Sequence, residues 1–560
     1  MLVAALAAIA WAAPAAAQGA PAVERSSPTI ASVRIETLNV FDPRVPGEDW
    51  WPFQLADRIH VTTKEEVVRR ELLLGPGDRY DSLKALESER NLRGLGFFRK
   101  AEVRPSPRPD GQTDLIVRTQ DGWTTNLNFG AGTEGGENYF DWGASENNLL
   151  GYGKAISFLH SEKGPRRADA LRYDDPRLLG SRFHMSPFYE HSNQGDSEGV
   201  GVVQPFFSVD TPDAMGSAWS RTINDWITYK DGEQYSKYTL ANRTVQAGYG
   251  VRVPGDRALV QRLEAGWYDQ RDVFSPTSDT IAGTLPAGRD MSGPTLGYSW
   301  IQPDYIRETY INRMERVEDF NLGNELTVFG GFMGQALGGD ADRWIFNAVD
   351  QQGVLLLPGR FGLAQVGLTG RVGQGKWENT LLFTNANLFW KTTWLYPQTW
   401  VAHLEGTSGR RLDAENQVEL GGENGLRGYR NHSFVGGRSV LLNLENRFFF
   451  PGEYFHLVRF GGAAFLDSGS VQPEGSGFSF ERFQSDVGLG LRFSSTRSQS
   501  GDVVRLDVAY ALNRGPGSPS RWVIALAGRQ AFQIFNSSTQ RVRQSPGSQL
   551  IQRTDTGVTQ

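Results

Sequence analysis

One arginine, Arg427, stands in a loop that is otherwise glycine, polar and aromatic: GGENGLRGY, Gly421 to Tyr429. Two carboxylates follow it in segments that alternate apolar and polar residues. Glu445 lies in the middle of VLLNLENRFFF (Val440 to Phe450), and Asp467 is the only charge of FLDSGS (Phe465 to Ser470). A guanidinium can hold two carboxylates in fixed geometry, and in a partly dry setting such bonds outweigh surface pairs. The phase of the strand supports such a meeting. Asn443, Glu445 and Arg447 share one face and Leu442, Leu444 and Phe448 the other, so Glu445 points away from whatever the leucines face. The pattern reads as a loop folded back into a barrel and pinned there by charge. The alternative is a solvated loop arginine with no fixed partner.

Other residue types that could do chemistry are present without the context chemistry needs. Gly195-Asp-Ser197-Glu-Gly199 matches a nucleophile elbow, but a strand-like stretch follows where a helix is required. Gly130-x-Gly132-x-x-Gly135 matches a dinucleotide fingerprint, again with no helix after it. The seven histidines are scattered and there is no cysteine, so neither a metal site nor a thiol nucleophile is expected. A net charge of -6 without a long basic run gives no footprint for nucleic acid. The expectation is a protein without catalytic residues, metal or cofactor.

The elements that would position Arg427 are short strands. Mean hydropathy is -0.41, which argues against membrane helices but not against a barrel with a polar lumen. The chain has 65 Gly, 15 Trp, 17 Tyr and 32 Phe among 560 residues, as many short strands with glycine turns and aromatic girdles would need. From Thr124 onward, segments of about 9–13 residues recur between turn residues, giving about 16–19 strand candidates. In Val503 to Asn513, Val504, Leu506, Val508, Tyr510 and Leu512 oppose Arg505, Asp507, Ala509, Ala511 and Asn513. A soluble sandwich has the same period. Charges clustered on the polar face (Arg492, Arg505, Asp507, Glu445, Arg447) favour a wet lumen. Arg343 to Leu357 is expected to be a loop that only looks extended.

The N-terminal part differs. Residues 1–17 read as a secretory signal peptide with an A-x-A site near Ala15 to Ala17, and 18–29 as a linker. Ile30 to Phe41 reads as a strand. Thr63 to Leu74 reads as a helix with a Thr63–Glu66 capping box. Asp81 to Leu95 is a second helix, with Leu83, Leu86, Leu92 and Leu95 on one face, and two strands joined by a Pro-Asp-Gly turn close the unit. Trp50 and Trp51 read as packing residues, the alternative being a loop of this unit that anchors at the membrane-facing rim.

This β-α-α-β-β order, with LRGLGFFRKAEV before its hairpin, resembles a POTRA domain. Arg427, Gly428 and Tyr429, followed by Phe465, Asp467 and Gly469, resemble the BamA/TamA-like superfamily of outer-membrane assembly and secretion barrels. In that family an Arg-Gly-aromatic loop folds into the lumen and meets a Phe-x-Asp-x-Gly strand. ENNLLGYGK (Glu146 to Lys154) is a further family-like stretch. The resemblance implies a mainly β chain in the bacterial outer membrane. It would have a periplasmic α+β POTRA domain at 30–120 and a transmembrane antiparallel barrel of sixteen strands at 124–532, with its inward loop near 421–437. The tail 533–560 reads as disordered. The implied function is insertion or export of β-rich polypeptides, with an unfolded client added to the edge of the POTRA hairpin, lipids around the barrel, and a periplasmic or lipoprotein accessory as a further partner. A lateral seam would lie between the first and last strands, marked by Gly130, Gly132, Trp522 and Phe532. A dedicated secretion pore, a passive channel and a surface antigen are the alternatives.

Overall fold

The computed structural model describes residues 27–134, 137–394, 396–477, 479, 482–499, 503–516, 520–528 and 540–541. The expected signal peptide, Phe532, and the tail apart from Gln540–Arg541 lie outside these residues.

The N-terminal unit is a three-stranded sheet backed by helices. Its strands are β1 (Ile30–Leu38), β2 (Phe98–Pro107) and β3 (Thr113–Asp121), in the order β1-β3-β2, with β1 parallel to β3 and β2 antiparallel to it. The helices are α1 (Trp51–Ile59), α2 (Glu65–Glu71) and α3 (Ser82–Gly94). Val67, Val68, Leu92, Phe97, Leu115 and Val117 are buried together as its core. Asp81 caps α3, its side chain accepting the N–H groups of Leu83 (2.9 Å) and Lys84 (3.2 Å).

Three expectations fail in this unit. The capping box does not form, because Thr63 instead donates its hydroxyl and its N–H to Asp121, at 2.9 and 2.8 Å. The buried Asp121 side chain offers both donors an acceptor inside the fold, and a buried polar group holds its partners. In α3 only Leu92 of the leucine stripe is buried. Leu83 and Leu86 are exposed, while Ala85, Ser88 and Glu89 face inward. Helix α1 is an addition to the expected order, started by Pro52 in its first turn, and Trp50 and Trp51 stand exposed rather than packed.

Among the described residues, twenty of the remaining strands form one closed antiparallel barrel, running from Thr125–Glu134 to Trp522–Gly528, with these two strands as neighbours. It has twenty strands, not sixteen. Arg343–Leu357 is one of them, a 15-residue strand paired on both sides, so it is not a loop. Its side chains alternate with period two like the others, and no local signal separated it from its neighbours.

The burial pattern is inverted relative to a soluble sandwich. Leu489 is 67% exposed and Ile524 60%, whereas Arg505 is 5% and Asp507 1% exposed. Leucines outside and ion pairs inside are what lipid around a polar lumen requires. Two segments enter that lumen from opposite ends. From the end remote from the N-terminal unit comes the loop between strands Gln398–Arg410 and Arg438–Phe449, carrying its own strands Gln417–Leu420, Phe434–Gly436 and, from the tail, Gln540–Arg541. From the near end comes a hairpin, Tyr305–Glu308 paired with Glu318–Asn321, whose Ile311 and Phe320 are buried against Phe361, Phe389 and Val401 of the wall.

Candidate functional site: a lumen charge cluster and two inward segments

The loop reaches the wall because glycines remove side chains where backbones meet. Gly425 has φ +99°, and a Cβ there would lie 2.2 Å from Leu441; a Cβ on Gly428 would lie 2.5 Å from that of Asp486. Gly469, on strand Val458–Gln472, leaves the space that Leu420 of the loop fills, at 2.8 Å from where its Cβ would be.

Between these contacts Arg427 is buried. Its Nε and Nη2 donate to the two oxygens of Asp467 (2.8 and 2.9 Å), and its Nη1 to Glu445 (2.5 Å). The guanidinium lies 3.4 Å over the Phe465 ring. The partners are held in turn. Asn443 donates to Asp467 (2.7 Å), Arg447 to Glu445 (2.7 Å), and both Arg492 (2.5 Å) and Arg505 (2.8 Å) to Asp507. Asp486 pairs in register with Asp467 on the next strand, which brings Arg427, Arg447, Arg492 and Arg505 together with Glu445, Asp467, Asp486 and Asp507. The cluster is balanced in formal charge and all eight side chains are buried, so each partner is costly to remove. Tyr429 is buried next to it, donating its hydroxyl to the Ser485 carbonyl (2.9 Å).

The residues named for the seam do not all come together. Gly132 abuts the last strand, since a Cβ there would lie 2.9 Å from the Leu526 carbonyl, to which Tyr139 also donates. Gly130 faces Asp141 instead, and Trp522 is exposed to the lipid side against Tyr510.

The hairpin residues were missed. Arg447 donates to the Ile311 carbonyl (2.6 Å), which ties the hairpin to the Arg427 cluster. On its other side Asp319 accepts two bonds from Arg93 of α3 (2.8 and 2.6 Å), Arg307 pairs with Glu89 (2.8 Å), and Arg90 lies 3.7 Å over Tyr305. A connection as long as 302–324 at the end where barrel turns are short was the available signal.

The N-terminal unit is seated on the same rim. In ENNLLGYGK, Asn148 donates to the Thr63 hydroxyl (2.8 Å) and the Gly151 carbonyl accepts from the Lys64 N–H (2.9 Å). Gly151 has φ +78°, and a Cβ would meet the Thr62 carbonyl at 2.4 Å. Further ion pairs join Arg177 to Glu71 and Arg257 to Asp81. Burial pushes the Asp121 carboxyl at this junction up to about 7, against the lowering pull of its two bonds from Thr63.

A family model described as a POTRA surface antigen variable number repeat matches residues 60–122. The chain is 32% identical over 200 residues to a putative outer membrane protein assembly factor of Treponema pallidum, covering 30% of this chain and 24% of the relative. It is 35% identical over 94 residues to the outer membrane protein assembly factor BamA of Neorickettsia risticii, covering 16% of this chain and 13% of the relative. These matches span a quarter or less of the relatives' length. Among solved structures, CdiB from Acinetobacter baumannii aligns at TM-score 0.46 with 12% identity over 90% of this chain and 74% of that one. BamA from Haemophilus ducreyi lacking POTRA domains 1-3 aligns at 0.36 with 14% identity over 89% and 84%. With a POTRA domain seated on a closed barrel that wears its leucines outward, the chain resembles the BamA/TamA-like superfamily, and its place is the outer membrane.

Proposed function

We propose that this protein inserts or translocates β-rich polypeptides at the outer membrane, with no chemical step. The observation that carries the reading is the occupied lumen above a seated POTRA domain. A passive channel needs an open bore. Here the loop and the hairpin meet through Arg427, Glu445, Arg447 and the Ile311 carbonyl. A client is then left with the POTRA surface and the seam between Thr125–Glu134 and Trp522–Gly528.

The POTRA hairpin edge expected to receive the client is poorly suited to it. Strand β2 contains Pro105 and Pro107, which have no N–H, and the Val103 N–H already donates to Glu89 (3.2 Å). An added strand would find acceptors and few donors. The other edge, β1, runs on past the turn that covers Ile30, beside a cleft of about 520 Å³ lined by Val33, Leu72, Lys84 and the barrel turn Phe207–Pro212. We therefore assign client capture to β1, by β-augmentation.

The test is reconstitution of the full-length protein into liposomes, followed by folding of an unfolded outer-membrane barrel. Faster insertion than in empty liposomes supports the reading. No acceleration, together with steady ion conductance, would overturn it in favour of a pore.

A further inference from the structure

Helix α1 carries an apolar face that none of the described residues covers. Its outward stripe is Trp51, Gln54, Leu55, Arg58 and Ile59, with Trp51 67% and Ile59 68% exposed. The stripe holds three large apolar side chains, one amide and one cation. The helix's acid, Asp57, turns inward and accepts the Phe41 N–H (3.2 Å). The opposite face is firmly held. Phe53 stacks on Phe41 with centroids 4.3 Å apart, and Glu48, just before the helix, pairs with Arg497 of the barrel rim (2.8 Å). Exposure of the stripe therefore follows from how the helix is mounted.

What the helix is mounted on decides the occupant of its outer face. Phe53 meets His456 (centroids 6.4 Å apart), and Gly47 sits against the same imidazole. His456 belongs to the barrel turn between strands Arg438–Phe449 and Val458–Gln472, whose Phe455 is 85% exposed and whose Tyr454 stacks edge-on to Phe460 (5.3 Å). That turn is the lower margin of the barrel's lipid-facing belt, on the POTRA side. Helix α1 thus extends an existing lipid interface with a stripe of the composition that interfacial helices use: tryptophan and aliphatic groups below, a cation for phosphate, and no acid.

We infer that α1 lies in the periplasmic leaflet of the outer membrane, with Trp51, Leu55 and Ile59 seated at the phospholipid headgroup–acyl boundary. The helix would hold the POTRA domain at a fixed height and tilt below the barrel, acting as a foot on the membrane that complements its polar seat on the rim.

The chain has no cysteine, so a single one can be placed at will. Leu55→Cys, carrying a nitroxide label, is prepared in the full-length protein in phosphatylethanolamine–phosphatidylglycerol nanodiscs. Asp110→Cys serves as reference, at the hairpin tip roughly 25 Å from the rim along β3. The label at 55 is expected to be several-fold less accessible to a water-soluble nickel chelate than the label at 110, and more accessible to oxygen. Ile59→Cys should read the same one turn on. Equal chelate access at 55 and 110 would place the face in water and overturn the inference. Protection from both reagents would mean a protein partner covers it, and would overturn it equally.

Discussion

The two segments that fill the lumen are held by different means. The outer loop is fixed to the wall by the buried Arg427 with its two carboxylates, by wall residues Arg289 and Arg371 pairing with Glu415 and Asp413 of the loop, and by glycines pressed against neighbouring strands. The hairpin is fixed to the wall by apolar packing, a backbone carbonyl and the ion pairs Lys391–Glu308 (2.7 Å) and Arg459–Glu315, and further ion pairs run to the POTRA helix α3. The loop therefore belongs mechanically to the barrel, whereas the hairpin belongs as much to the POTRA domain. A movement of the POTRA domain can draw on the hairpin without touching the loop directly, and among the described residues Arg447 and Glu445 link one segment to the other.

Breaking the loop side should give the largest effect. Arg427→Ala leaves Asp467 and Glu445 buried and short of a cation, a change that costs about 3–5 kcal/mol. The folded barrel should unfold at a lower temperature in detergent gels, and the loop should become open to protease. Unchanged mobility together with unchanged protection would sink the pinned-loop account. Gly428→Val comes next. It forces a side chain against Asp486, at about 1–3 kcal/mol, with the same two readouts and the charge cluster otherwise intact.

Breaking the hairpin side should cost less and show elsewhere. Arg93→Ala removes both bonds to Asp319, at about 1–2 kcal/mol. Protease should then reach residues 302–324 and conductance should rise, while the loop stays protected. Loss of loop protection in this variant would mean that the two segments are one unit and that the contrast between them is false.

The two segments also differed in how far the sequence disclosed them. Arg427, Glu445 and Asp467 could be connected because strand phase fixes which way a side chain points, and a lone cation among glycines has few uses. The hairpin has no such economy. IRETYINRMERVEDFNL is dense in charge, and nothing local says that Glu318 and Asp319 are buried. Glu318 accepts from Asn312 and Arg313 in a turn whose shape the sequence does not announce, and the partner of Asp319, Arg93, lies in a helix more than two hundred residues earlier. The strand total was lost in a related way. Counting alternating segments came near twenty, and trimming to the family's sixteen removed real strands such as Arg343–Leu357. Helix α1 was overlooked because a nine-residue helix with its apolar face outward looks, in sequence, like a loop with two tryptophans.

The junction between POTRA and barrel offers the finest way to separate the segments, because it titrates. Asp121 is neutral in the folded state up to about pH 7, above its ordinary range, so the stabilisation it gives is full at low pH and is lost as pH rises through about 7. His60 stands 4.0 Å away, and burial lowers its imidazole below 6.5. Its contribution runs the other way, lost as pH falls below about 6.5, so the two oppose each other in acid and Asp121 acts alone near neutrality. Raising the pH from about 6.5 to 8 should weaken the POTRA seat by on the order of 1 kcal/mol. Hydrogen exchange should then quicken in α2 and, because Arg93 carries the hairpin, in residues 302–324, with the loop at 421–437 unchanged. Asp121→Asn, a mimic of the neutral acid, should abolish the pH response in both. A response confined to α2 would show that the hairpin rests on the barrel wall alone, and that the ion pairs of α3 do not carry it.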